Sequence, residues 1–262
     1  METLLWIIGC TAAGGALSLL LAAALSLTLL MPWVDRMVSY AVGALLGVAF
    51  LDLLPGALMQ VRYLQLKSGT VLQGGDAKAL FAVMLAGVLA FFLLEKAALW
   101  RHFHEHGTHS GVKPSGMLII VGDGFHNFVD GVAIAAAFLV DVRLGIGTTL
   151  AIIAHEIPQE LGDFMILIDA GYTRGRALLY NLLSSLTSIG GGIAGYFVLG
   201  HVQAALPYVL VISAASFIYI AIADLMPDLH RTNDSRGKAW QVALIAAGVA
   251  TVTASHLLPL PH

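Results

Sequence analysis

The constraint that dominates this chain is the repeated occurrence of apolar runs long enough to cross a bilayer. A helix needs about 20 apolar residues to span the ~30 Å hydrocarbon layer. Runs of that size occur at Leu4–Leu30, Val38–Met59, Ala79–Trp100, Met117–Val140, Ile146–Ile168, Ala177–Leu199, Leu206–Met226 and Trp240–Leu258. Short connections carrying charge, Gly or Pro separate them. The expected fold is an all-α membrane protein with eight transmembrane helices, one polytopic domain over residues 1–262. Composition agrees, with 58% of residues hydrophobic and 11% charged, against roughly a quarter charged in a soluble domain.

The remaining bulk properties remove other classes. A net charge of −3 without a basic tract gives no footprint for nucleic acid. The lone Cys10 excludes a disulfide framework or a cysteine-rich metal site. The first apolar run lacks a basic leader and is too long for a signal-peptide core, so it reads as a retained span. Odd-numbered connections carry Arg36, then Lys96, Arg101 and Lys113, then Arg174 and Arg176, then Arg231, Arg236 and Lys238; even-numbered ones carry only Arg62, Lys67, Lys78 and Arg143. This bias puts the odd loops in the cytoplasm and both termini outside it.

Two spans contain residues that lipid does not tolerate. The fourth holds Gly-Asp-Gly-Phe-His-Asn-Phe-Val-Asp-Gly at 122–131, and the fifth holds His-Glu-Ile-Pro-Gln-Glu-Leu-Gly-Asp at 155–163. An ionised residue at the centre of a span costs about 2.5–3.5 kcal/mol. Asp130, Glu156, Glu160 and Asp163 must therefore face one another, water or a cation. Residues three or four apart share a helix face, which aligns His126 with Asp130, Asn127 with Asp130, His155 with Gln159, and Glu156 with Glu160. At 1.5 Å per residue His126 lies roughly 14 Å into its span and His155 similarly deep in the next, so both fall near the midplane. Pro158 cannot donate to the Ala154 carbonyl and leaves a further acceptor there.

Imidazoles, carboxylates and carboxamides without a thiolate suit borderline divalent ions such as Zn²⁺, Fe²⁺, Mn²⁺ or Cd²⁺; the set is too nitrogen-rich for Mg²⁺ or Ca²⁺. The candidate donors are His126, Asn127, Asp130, His155, Glu156 and Gln159. A buried polar network that merely locks two helices together is the plainer alternative, and so many donors at one depth weigh against it.

His126-Asn127-Phe128-Val129-Asp130-Gly131 and His155-Glu156-Ile157-Pro158-Gln159-Glu160-Leu161-Gly162-Asp163 resemble the paired motifs of the ZIP family of divalent metal transporters. The similarity is greatest to the subfamily with HNxxDG and HExPHExGD, and it extends to Asp52-Leu53-Leu54-Pro55 and Asp224-Leu225-Met226-Pro227. The resemblance implies eight spans, inward transport and a two-metal centre between the fourth and fifth helices. His126, Asp130 and His155 match the ligands of one site, and Asn127, Asp130 and Glu156 those of the other. Gln159 stands where the family has His, which weakens the first site. A homodimer is implied by resemblance alone.

The Asp52 and Asp224 segments run in opposite directions under this topology, an inverted relation of the kind that accompanies alternating access. They are candidate mouths of the outer and inner paths, with Asp123, Glu160 and Asp163 as steps along the way. Residues 101–114 form a short cytoplasmic loop in which His102, His104, His106 and His109 can wrap a metal. The expected function is secondary transport of a divalent transition metal, Zn²⁺ foremost, as cargo rather than catalytic cofactor. The rival is an intramembrane zinc-dependent hydrolase using His155-Glu156, which lacks the second imidazole at Gln159. Short loops suggest a bacterial inner membrane, with a eukaryotic endomembrane as the alternative.

Overall fold

Among the described residues the apolar runs fold as helices. The computed structural model describes residues 2–27, 34–68, 75–104, 114–229 and 235–255, and no strand occurs among them. Helix α1 (Glu2–Leu27) is followed by α2 (Val34–Gly47), which runs through a π-helical segment, Val48–Leu53, into α3 (Leu54–Ser68). Next come α4 (Gly75–His104), α5 (Pro114–Val140), α6 (Val142–Asp169) and α7 (Arg174–His201). A 3₁₀ turn leads into α8 (Leu206–Tyr219), which passes through a second π segment, Ile220–Leu225, into α9 (Met226–Leu229); α10 (Ser235–Ser255) ends the described chain.

Among the described residues five helical stretches are long and apolar enough to cross a membrane by length and composition, at 2–21, 36–67, 120–140, 174–201 and 203–223, with shorter apolar stretches at 77–93 and 238–254. Helix α6 is not among them. Its length of 28 residues suffices, but Glu156, Glu160 and Asp163 interrupt its apolar character.

Local chemistry explains the breaks. Asp141 caps α6 by accepting the Arg143 backbone N–H at 2.8 Å, and Thr173 caps α7 by accepting that of Arg176 at 3.4 Å. Gly171 turns the chain between them at φ 96°, a conformation that favours glycine. Both π segments hold an Asp-Leu pair followed by Pro, at Pro55 and Pro227. The ring displaces the turn before it and removes a donor. A widened i→i−5 turn absorbs this, as the bonds from Leu54 N–H to the Ala49 carbonyl and from Met226 N–H to the Ala221 carbonyl record.

The helices form two groups. In one, α1, α5, α6 and α7 pack together; in the other, α2 packs on α10, and α8 on α3 and α4. Contacts of α6 with α2 and α10, and of α5 with α8, join them. Each group has a seam where backbones nearly touch. On α5–α7, a Cβ at Gly131 would stand 2.7 Å from Gly192 N, and one at Gly191 would stand 2.8 Å from the Phe128 carbonyl carbon. On α2–α10, a Cβ at Gly43 would lie 2.7 Å from the carbonyl carbon of Ile245. Small residues permit this approach, and dispersion and polar contacts then hold helices together where lipid is as apolar as the protein. Buried Leu45, Leu53, Ala133, Ala136, Leu210 and Phe217 fill the space where the groups meet.

Candidate metal centre

Helices α5 and α6 bring four metal-ligating side chains together. His126, Asp130, His155 and Glu156 each offer one ligand atom, and these atoms lie within 4.8 Å of one another. Asp130, His155 and Glu156 are buried, while the side chain of His126 is 20% exposed. The i,i+4 spacing of His126 and Asp130 puts both on the face that α5 turns towards α6. On α6 the adjacent pair His155-Glu156 reaches across.

His126 Nε2 lies 3.2 Å from His155 Nε2 and 3.7 Å from both Asp130 Oδ2 and Glu156 Oε1. His155 Nε2 lies 3.2 Å from Asp130 Oδ2 and 3.6 Å from Glu156 Oε1. A tetrahedral cation with bonds of about 2.0–2.1 Å sets its donors about 3.3–3.4 Å apart, so these separations have the right size for Zn²⁺. All four oxygens of Asp130 and Glu156 are buried without a hydrogen-bond donor. Such groups are costly unless a cation compensates them.

The His155 tautomer follows from its other nitrogen, which lies 3.1 Å from the Ala151 carbonyl oxygen. A carbonyl only accepts, so Nδ1 carries the proton, and in the neutral ring Nε2 presents its lone pair to the cluster. The ring is further held against Phe217 of α8, with centroids 5.9 Å apart. Neither the carbonyl nor Phe217 is signalled by the motif: one is backbone, and the other is brought from the second helix group.

The two carboxamides are placed differently. Asn127 Nδ2 donates to Asp123 Oδ1 at 3.0 Å and to the Asp123 carbonyl at 3.3 Å. Gln159 Nε2 donates to the same Oδ1 at 3.5 Å. Glu160 parts from Glu156 despite the i,i+4 spacing. It is fully buried, its Oε1 accepts a short hydrogen bond from Ser185, and its backbone carbonyl accepts from Asn181 Nδ2 at 2.8 Å. Ser185 and Asn181 thus hold Glu160 from α7, a role that only the packing of α7 reveals. A water-sized cavity, about 10 Å³, lies beside the cluster and is lined by Asn127 and Glu156 together with Cys10, Thr11, Thr149 and Ser188.

Of the path residues, Asp123 and Asp52 are buried, Asp163 is half-buried, and Asp52 sits within the first π segment. Asp224 occupies the same fifth position of the second π segment, with its side chain outside the described residues. His102 and His104 fall at the end of α4 with side chains that are likewise outside them; His106 and His109 lie outside the described residues altogether.

Apolar helices enclosing a two-imidazole, two-carboxylate cluster define a multi-pass membrane protein with a candidate metal site in its core. A profile of the ZIP zinc transporter family matches residues 101–255. The chain is 34% identical over 227 residues to zinc transporter ZIP13 of Pongo abelii, covering 83% of this chain and 65% of that protein. It is 38% identical over 148 residues to zinc transporter ZIP10 of Homo sapiens, covering 52% and 18%. With zinc transporter foi of Drosophila melanogaster it shares 45% identity over 121 residues, covering 46% and 17%. The chain belongs to the ZIP zinc transporter family, as its motifs led one to expect, and it spans 65% of the length of the first of these relatives and under a fifth of the other two.

Proposed function

We propose that this chain carries divalent transition-metal ions, Zn²⁺ foremost, across a membrane towards the cytoplasm by alternating access. The observation that carries this reading is the tetrahedral-sized cluster of His126, Asp130, His155 and Glu156 with its unpartnered carboxylate oxygens. The metal is cargo, and Asn127 and Gln159 flank the centre as weaker donors. Two imidazoles and two carboxylates bind a borderline ion without the thiolates of a closed structural zinc site, which suits an ion that must also leave. Partial exposure of His126, with half-buried Gln159 and Asp163 one to two turns further along α6, supports release past Asp123 and Asp163. In the other direction along α5, beyond Asp130, Ala133, Ala136 and Ala137 are buried.

Eight spans with both termini extracytoplasmic complete the proposal, with Asp52 and Asp224 at the outer and inner mouths and the segment 101–114, from the last turn of α4 to the start of α5, as a cytoplasmic metal-receiving segment. Animal relatives named as zinc transporters favour the eukaryotic alternative over a bacterial inner membrane. A hydrolase is disfavoured by this family membership and by Gln159 at the place of a second zincin imidazole.

Uptake of Zn²⁺, Fe²⁺, Mn²⁺ and Cd²⁺ into proteoliposomes holding a trapped metal indicator tests the function. Saturable flux that His126→Ala abolishes is expected, whereas binding without flux would refute transport. On a Cys10→Ser background, a cysteine at Ser68 is expected to react with an impermeant thiol reagent from outside and one at Thr232 not to; equal labelling would refute the topology.

A further inference from the structure

Asp123 lies one turn before Asn127 on α5, and it is buried. Its Oδ1 receives an N–H from each carboxamide beside the cluster: Asn127 Nδ2 from its own helix at 3.0 Å and Gln159 Nε2 from α6 at 3.5 Å. An amide has one donating and one accepting end. With both nitrogens drawn to Asp123, both carbonyl oxygens are turned away from it.

Without that carboxylate Gln159 could rotate and present N–H groups, the positive end of its dipole, to the neighbourhood of the cation, and Asn127 would be left with only its 3.3 Å bond to the Asp123 backbone carbonyl. Partners outside the ligand sphere fix ligand orientation in this way, and losing one typically costs about 10- to 100-fold in metal affinity. Building on the assignment of the four-donor cluster as the metal centre, we infer that Asp123 is a positioning residue. It clamps Asn127 and Gln159 with their oxygens away from it, keeps amide donors out of the cation's surroundings, and ties α5 to α6 next to the centre. The clamp needs an acceptor oxygen at this point rather than a negative charge, which separates it from an ion relay.

The test is equilibrium Zn²⁺ binding to the purified full chain in detergent, by competition with a chromophoric chelator, together with the d–d absorption of bound Co²⁺. Asp123→Asn keeps an Oδ1 able to accept both amides, so its affinity is expected within a few-fold of wild type with an unchanged Co²⁺ spectrum. Asp123→Ala is expected to lose about tenfold or more in affinity and to shift the Co²⁺ bands, and Asp123→Leu, which keeps the shape without an acceptor, replaces it if the Ala variant does not assemble. The clamp is overturned if Asp123→Asn loses as much affinity as Asp123→Ala, or if the truncated variant binds as wild type does. Wild-type binding that survives His155→Ala, or is absent, would instead overturn the metal-centre reading and take the clamp with it.

Discussion

Gly131 follows the cluster residue Asp130 and faces α7, so Gly131→Ala tests whether the α5–α7 seam holds the centre in register. The added methyl would stand 2.7 Å from Gly192 N and 2.8 Å from the Ser188 carbonyl carbon, and nearer still to the Ser188 oxygen. Ordinary contact begins at 3.4 Å. Moving from 2.7 to at least 3.4 Å means the seam must open by 0.7 Å or more. Every atom that must move is backbone, so no rotamer change relieves the clash. Overpacking of this kind costs about 1–3 kcal/mol, and a metal site tolerates only about 0.5 Å of misplacement in its ligands. The expected result is a lower melting temperature in detergent together with weaker Zn²⁺ binding, read by thermal denaturation with and without metal. Gly190→Ala on α7 is the control, because nothing lies within 4 Å of a Cβ there, and it should match wild type in both readouts. A Gly131→Ala protein with wild-type melting and wild-type zinc affinity would refute the reasoning.

Three further outcomes follow from the same geometry. His155→Ala removes the imidazole whose Nε2 lies within 3.2–3.6 Å of donors from three other residues, so Zn²⁺ binding measured by chelator competition should fall by at least a hundredfold, on the order of the upper limit for a lost outer partner. Ser185→Ala deprives the buried Glu160 of its hydroxyl donor and should destabilise the protein by about 1–3 kcal/mol in thermal denaturation. Gln159→His puts a stronger donor beside the cluster, so Zn²⁺ should bind more tightly and leave more slowly, seen as a lower KM and a lower maximal flux in proteoliposomes.

The sequence discloses the helices because lipid imposes a length and an apolar composition on each of them, and it discloses the centre because charged residues at mid-span demand a partner. Spacing alone aligns His126 with Asp130, and the structure brings these two to His155 and Glu156. Spacing does not separate Glu156 from Glu160. Four residues advance a helix by slightly more than a full turn, and that offset, with Ser185 and Asn181 on the neighbouring helix, sends Glu160 to α7 instead. The inward turn of Asn127 and Gln159 to Asp123 was equally hidden, since an amide's preferred partner depends on which acceptor the facing helix presents. The repeated Asp-Leu-x-Pro of the second and seventh spans is visible as a short match, but its expression as two π segments depends on how each turn accommodates its proline.

Helix α6 has the length of a membrane span without the greasiness of one, and this bears on how the chain enters a membrane during synthesis. A translocon partitions segments by hydrophobicity, and α6 presented alone would favour remaining in water. Its neighbours α5 and α7 on either side are apolar enough, and the connection from Val140 to Val142 is a single residue, so α5 and α6 are suited to enter as a hairpin with their polar faces already apposed. The acidic residues that would receive the ion therefore also make α6 a dependent passenger. Substitutions that make α6 greasier should raise yield while erasing function, and substitutions that part it from α5 should lower yield with every ligand intact.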